Sequence, residues 1–333
     1  MRAVPLEALR PLFDDEHVTE LLVNGPGPVW VERDGVLART AVVVDRVALE
    51  RLIERTLGPI GRRVDHASPY VDARLPDGSR VNIVIPPIAV DGPCVSIRRF
   101  RRGFRDLAQL ARPAEADLLA WAVRARANIL VTGAAGAGKT TLLNALASVV
   151  PSTERIVTIE DAAELALAAE HVVRLEARPP NSEGLGAVTV RDLVRNALRM
   201  RPDRIVVGEV RGTEVVDMVH AMETGHHGSF STCHANNPRD AVQRLEAMLL
   251  SAEASMPVPV IRAHLASCLD LIVHVERHAD GTRALGEITE VLPLAPDHRA
   301  LTLNVLVQAG RPVGVPRRPP RTATVPPFVW GHP

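Results

Sequence analysis

Gly133-Ala134-Ala135-Gly136-Ala137-Gly138-Lys139-Thr140 is the stretch that decides how the rest of this chain is read. It fits G-x-x-x-x-G-K-[ST], with Gly133, Gly138, Lys139 and Thr140 at the fixed positions. The apolar run Ala127–Thr132 before it is of strand type. Thr141-Leu142-Leu143-Asn144-Ala145-Leu146 after it carries helix-spaced leucines. A glycine-rich turn between a buried strand and a helix aims several backbone N–H groups and the positive end of a helix dipole at one point. That geometry suits a phosphate chain, with Lys139 reaching the β- and γ-phosphates and Thr140 offering its hydroxyl to Mg²⁺. The expected nucleotide-binding residues are Gly133, Ala134, Ala135, Gly136, Ala137, Gly138, Lys139, Thr140 and Thr141. The alternative is a small-residue turn that packs a helix on a strand, and the full pattern in its strand–turn–helix setting argues against it.

At 333 residues the chain has room for two domains with ample cores. Apolar residues make up 46% and aromatic ones 3%, so the cores must be mostly aliphatic, as in α/β proteins built on Val/Ile strands. Lys plus Arg and Asp plus Glu both total 39. That balance weighs against a nucleic-acid motor, which would show a basic groove. Cys94, Cys233 and Cys268 lie far apart without C-x-x-C spacing, as free thiols in a reducing cytosol would. No segment has the apolar length of a membrane span, and the N-terminus has no signal-peptide core. A cytoplasmic protein is expected, one that could still dock on a membrane protein.

Residues 1–99 read as a small α/β domain. Val18–Val23 and Val29–Glu32 flank a turn at Asn24–Pro28, and residues 46–57 have helical spacing with Val47, Leu49, Leu52, Ile53 and Leu57 on one side. Asp72–Leu75 and Arg80–Ile85 enclose the hairpin turn Pro76-Asp77-Gly78-Ser79, and Cys94–Arg98 adds a strand. Residues 100–106 are basic and interrupted by Gly103, the expected hinge. Over 107–310 helices alternate with apolar strands, which implies a mostly parallel sheet covered on both faces. Residues 311–333 are rich in Pro and Arg with no apolar period, and disorder is expected there.

Four segments narrow the chemistry. Thr158–Leu165 places Glu160, Asp161 and Glu164 at the end of a strand beside the phosphate site. These carboxylates either order a water or a metal ion, or form a solvated turn or helix cap. Ile205–Arg211 has the form of a strand ending in an acid, Glu209, as nucleotide hydrolases use to hold Mg²⁺ through water. Thr224–Asn236 carries His226, His227 and His234. A zinc cage is disfavoured because Cys233 and His234 cannot both point inward from one extended strand, and a γ-phosphate sensor is the better use of His234. Leu198–Arg204 supplies Arg199 and Arg201, either a solvated helix end or groups that complete a neighbouring subunit's site.

In this order the four segments resemble the ATPases of the type II/type IV secretion superfamily. Gly133–Thr140 is similar to their Walker A, Thr158–Leu165 to their Asp box, Val206–Arg211 to their atypical Walker B and Thr224–Asn236 to their His box. Through Val18–Gly25, Gly61–Asp65, Asp72–Asn82 and Ser96–Phe100 the chain looks most like the tight-adherence (Tad/Flp) pilus branch, over roughly residues 10–295. The resemblance implies a hexameric cytoplasmic motor. It has a PAS-like amino-terminal domain linked to a RecA-like domain, and docks on an inner-membrane platform protein. It further implies ATP and Mg²⁺ as ligands. Lys139 and Thr140 would then bind phosphate and metal, Glu164 would orient the water, Glu209, with Glu160 near it, would support the metal, and His234 would couple phosphate state to movement. No nucleic acid is expected as a partner.

Bound ATP brings roughly four negative charges, of which Mg²⁺ with Lys139 offsets about three. A further cation is therefore needed in the transition state. Arg74, Arg80 and Arg98 stand just ahead of the hinge, where a folded-over domain could deliver them. The alternative is surface arginines that balance Asp72 and Asp77. Two rival functions remain. A nucleic-acid translocase on the same core would need basic residues interleaved with aromatic ones. A nucleotide-responsive scaffold would be free to lose Lys139, Glu164 and Glu209, all of which are intact.

Overall fold

The computed structural model describes residues 9–33, 35–99, 106–180, 185–253, 255–278, 280–294 and 300–331. All of the expected hinge but Asp106 lies outside them. The chain divides into two compact units, Met1–Gly103 and Phe104–Pro333.

The first unit comprises α1 (Arg10–Asp14), β1 (Val18–Asn24), β2 (Gly27–Arg33), β3 (Val36–Val44), α2 (Arg46–Leu57), β4 (Tyr70–Arg74), β5 (Arg80–Val84) and β6 (Cys94–Arg98). Its antiparallel sheet runs β3-β2-β1-β6-β5-β4. Alternate strand residues, among them Leu21, Val23, Val31, Val81, Ile83, Val95 and Ile97, pack on Leu49, Leu52, Ile53 and Leu57 of α2. Asp45 starts that helix by accepting the Ala48 N–H at 2.7 Å. Val47, expected on the buried side, is 55% exposed because it stands two residues before Leu49, well round the helix from the apolar stripe. The edge strand β3 has no counterpart in the sequence reading; its only buried residue is Val44, so it carries little apolar alternation. Arg74, Arg80 and Arg98 are direct partners across β4, β5 and β6, so they form one row on one face of this sheet.

The second unit begins with α3 (Leu107–Leu110), α4 (Pro113–Arg124), β7 (Ile129–Thr132), α5 (Lys139–Ala147), β8 (Ile156–Glu160) and β9 (Val172–Glu176). It continues with α6 (Val190–Ala197), β10 (Arg204–Val207), α7 (Glu214–Glu223), β11 (Phe230–Cys233), α8 (Pro238–Ala252) and α9 (Val258–Cys268). It closes with β12 (Leu271–Arg277), β13 (Arg283–Val291), β14 (Leu303–Gln308) and β15 (Arg311–Pro312). The sheet order is β15-β14-β13-β12-β7-β11-β10-β8-β9, parallel from β12 to β9 and antiparallel through the terminal strands. Successive residues of the parallel strands feed two cores. Ile129, Val131, Ile156 and Val206 pack with α4 and α5, while Leu130, Val157, Ile159, Ile205 and Val207 pack with α6 to α9. Continuous apolar runs are what a sheet covered on both faces requires.

The disorder expected for 311–333 is overturned across the described residues 311–331. Asp270 is gripped by two arginines of this segment, with Arg318 Nε at 3.1 Å and Arg321 Nε at 2.6 Å. Glu290 accepts the Arg317 and Arg318 backbone N–H groups, at 3.0 and 2.8 Å. Trp121 donates to the Pro326 carbonyl at 2.8 Å, and its ring lies 5.3 Å from that of Phe328. Composition pointed to disorder because it does not register that buried Asp270 and Glu290 need cations and donors. This strap crosses the edge of the sheet where β7 and β12 begin, opposite the edge where they end.

Candidate functional site

Because β7, β8, β10 and β11 are parallel, their carboxyl ends share one edge of the sheet, in the spatial order β7-β11-β10-β8. The phosphate-type loop leaves β7, His234 follows β11, Gly208-Glu209 follows β10, and Glu160 ends β8. Segments about a hundred residues apart in sequence are thereby a few ångströms apart in space.

The loop needs its glycines. Gly133 has φ +153°, and a Cβ there would meet the Val275 carbonyl oxygen at 2.4 Å; Gly138 has φ +104°. Lys139, only 8% exposed, opens α5 and folds back over the loop. Its Nζ donates to the Gly133 carbonyl at 3.1 Å, to the Ala134 carbonyl at 3.0 Å and to His234 Nδ1 at 3.3 Å. That donor leaves the His234 proton on Nε2, which faces Glu209 Oε1 at 2.8 Å. Burial, then the neighbouring Lys139 charge, holds the His234 pKa below its ordinary value, so the imidazole is neutral near pH 7. Glu209 Oε2 is 3.0 Å from Arg211, which also lies 3.4 Å from Asp161. A continuous polar chain thus runs Lys139–His234–Glu209–Arg211–Asp161.

Glu160 has a task besides the metal support expected of it. Its Oε1 accepts the backbone N–H groups of Glu164 and Leu165, both at 2.9 Å, so the carboxylate shapes the turn that carries Glu164. Gly208 makes the room, since a Cβ there would come within 2.8 Å of Glu160 Cγ. Burial pushes the Glu160 pKa up to about 7 against those two hydrogen bonds. Its other oxygen, Oε2, is buried and makes no hydrogen bond among the described residues. Glu164 itself is half-buried on this turn.

Residues 4–291 match the type II/IV secretion system protein family. The chain belongs to that family. It is 46% identical over 292 residues to a protein of Mycobacterium tuberculosis designated a conjugal transfer protein, covering 84% of this chain and 82% of the relative. It is 37% identical over 305 residues to the type IV secretion system protein PtlH of Bordetella pertussis, covering 82% and 90%. The fold is that of the Legionella pneumophila ATPase DotB, with a TM-score of 0.61 at 22% identity over 86% of this chain and 80% of that one.

Within this family member the structure brings Lys139, Glu209 and His234 together and sets Glu164 on the neighbouring strand end. Arg199 and Arg201 are exposed at the other edge of the sheet, ahead of β10, and so are not brought to this chain's own loop. Arg204, next in that run, is no spare cation. It is 0% exposed, with Nε 2.7 Å from Glu154 Oε2 and Nη2 donating to the Val123 carbonyl at 2.9 Å. His226, His227 and His234 do not converge: His227 Nδ1 lies 3.2 Å from Arg321. Two contributors escaped the sequence reading. Arg211 bridges two acids, and Asn144 Oδ1 on α5 accepts the Ala166 N–H at 3.0 Å, tying the helix to the acidic turn. Both lie inside quoted motif segments, but only their long-range partners reveal their use.

Among the described residues no helix is long and apolar enough to cross a membrane, and no group of three or more His, Cys, Asp or Glu side chains is arranged to hold a metal ion.

Proposed function

We propose that this chain is the ATP-hydrolysing motor of a pilus-assembly or type IV secretion apparatus, acting as a hexamer at the cytoplasmic face of the membrane and docking on a platform protein there. The observation that carries the reading is the Lys139–His234–Glu209 chain. It links the phosphate loop to two further strand ends, through the hydrogen bond from Lys139 to His234 and the close approach of His234 to Glu209, so a change at the γ-phosphate can be passed to β11 and β10.

The residues present fit Mg²⁺ brought in by the nucleotide. Such an ion keeps several waters and asks only one or two hard oxygens of the protein, here Thr140 and Glu209. It would neutralise charge on the phosphates. Lys139 would exchange its loop carbonyls for phosphate oxygens, and Glu164, held by the Glu160 turn, would orient the attacking water. His234, released from Lys139, would keep its Nε2 facing Glu209 and present Nδ1 as an acceptor. Arg199 and Arg201 are candidates for a neighbouring subunit's site, and the Arg74–Arg80–Arg98 row for the transition-state charge. Conjugation-type secretion is the second reading, favoured by the name of the mycobacterial relative.

The test is steady-state ATPase activity of the full chain. Lys139→Ala should abolish turnover with the fold intact. Glu164→Gln should bind Mg·ATP as the wild type does yet trap it unhydrolysed, whereas Glu209→Gln should weaken the Mg²⁺ dependence. Full activity in a folded Lys139→Ala protein would sink the reading.

A further inference from the structure

Helix α5 buries Leu142, Leu143, Ala145, Leu146 and Ala147 and leaves Thr140, Asn144 and Ser148, spaced by four, half-buried along one side. Asparagine in the middle of a helix is a poor choice on local grounds, because its side chain competes for backbone groups and adds nothing to an apolar core. Here the side chain is used outside the helix. Asn144 Oδ1 accepts the Ala166 N–H at 3.0 Å, from a residue 22 positions further along the chain.

Ala166 ends a run of four residues whose backbone is held by side chains from three elements. Arg174 of β9 donates to the Ala163 carbonyl at 3.3 Å. Glu160, at the end of β8, accepts the Glu164 and Leu165 N–H groups at 2.9 Å, and Asn144 of α5 takes the fourth. Leu165 is 0% exposed and pins the run into the core that α5 covers. Glu160 and Arg174 stand on paired strands and fix the run to the sheet. Asn144 ties it instead to the helix that starts at the phosphate loop. Ala166 is exposed, so water can take the place of Asn144 at its N–H. The bond therefore adds little to stability, and what it decides is position.

We infer that Asn144 is a positioning residue for ATP hydrolysis: through the Ala166 N–H it holds the turn that carries Glu164 at a set distance from the start of α5, where Lys139 and Thr140 meet the phosphates. This rests on Glu164 being the group that orients the attacking water. Thr140 and Asn144 are one helical turn apart on the same side, joined by about 6 Å of stiff helix. A shift of the first turn of α5 on phosphate binding therefore reaches the Glu164 turn through a rigid element and one hydrogen bond. A water-orienting carboxylate must stand within about 0.5 Å of its productive place, so a tie of this kind acts on the chemical step and leaves nucleotide affinity alone.

The experiment measures ATP turnover and ADP binding by calorimetry on the full-length protein. It compares wild type, Asn144→Leu, Asn144→Asp, Glu164→Gln and Glu164→Gln combined with Asn144→Leu. Leucine keeps the shape of asparagine and suits the helix but accepts no hydrogen bond, whereas aspartate keeps the acceptor. Asn144→Leu should lower kcat at least about tenfold, short of the roughly hundredfold that a full ångström of misplacement can bring. Its ADP Kd should stay within about twofold of wild type and its nucleotide-free melting temperature within about 3 °C. Asn144→Asp should restore kcat to within about threefold of wild type. In the Glu164→Gln background the leucine change should lower residual turnover by less than about twofold, because residues that act as a unit are not additive. A smaller fall of kcat in Asn144→Leu, or a larger further loss in the Glu164→Gln background, overturns the assignment. So does a loss that aspartate fails to recover, or one that comes with weaker ADP binding or a lower melting temperature, which places Asn144 in the fold of α5. A Glu164→Gln protein that turns over ATP as fast as wild type overturns instead the reading of Glu164 on which the inference rests.

Discussion

Replacing Glu160 by Gln should make the protein more stable as pH rises, a result peculiar to a carboxyl that folding keeps from ionising. Burial lifts the Glu160 pKa from 4.5 to about 7. The sign follows from linkage. Below about pH 4.5 the group is protonated folded or unfolded, and its contribution is fully present. Between about 4.5 and 7 unfolding releases a proton, so stability falls with pH, and above 7 the loss is complete. At about 1.4 kcal/mol per unit the loss comes to about 3 kcal/mol. Glutamine cannot ionise, and its Oε1 can still accept the Glu164 and Leu165 N–H groups, so the turn is kept. Its buried amide nitrogen adds a constant cost that does not vary with pH. Urea unfolding followed by tryptophan fluorescence reads this unit through Trp121 and Trp330, and would be run at several values from about pH 5 to 8.5. The difference between variant and wild type should shift towards the variant by about 3 kcal/mol across that range. A difference that stays flat with pH would refute the buried-carboxyl reasoning.

Gly133→Ala forces a left-handed φ on alanine and drives a Cβ into the Val275 carbonyl, so it should cost at least about 2 kcal/mol, seen as a melting point lower by roughly 4–8 °C, with ATPase activity lost. Arg204→Ala strips the Val123 and Gly228 carbonyls of their donor and leaves Glu154 with Arg126 alone; about 3–5 kcal/mol of stability should go, measurable by the same urea titration. Truncation after residue 312 removes both arginines from Asp270 and the two backbone N–H donors from Glu290, which keeps only Asn304 Nδ2 among the contacts described. It should lower the melting temperature of the second unit by several degrees while leaving ADP affinity within about twofold, because the strap lies at the opposite edge of the sheet from the loop.

Much of this protein follows from local sequence. The pattern at 133–140, the alternation of helix and strand after 107, and the hairpin at 76–79 are short-range facts, and each element forms where its own residues call for it. Lys139, Glu209 and His234 could be named as candidates for the same reason: Lys139 is fixed by the 133–140 pattern, and Glu209 and His234 follow apolar runs just where a parallel strand must stop. What only the tertiary structure decided is which ends meet. Sheet order inserts β11 and β10 between β7 and β8, and that places His234 between Lys139 and Glu209. The same holds for Glu160, whose hold on the Glu164 turn needs the room that Gly208 beyond a neighbouring strand leaves, and for Arg204, whose partner Glu154 is fifty residues away. The C-terminal strap is the sharpest case. Its proline and arginine composition carries no apolar period, yet Asp270 and Glu290 are buried charges that this segment satisfies. Periodicity reports the face an element turns inward. The partner of a buried charge is set by strands that arrive from elsewhere in the chain, and that information exists only in the assembled sheet.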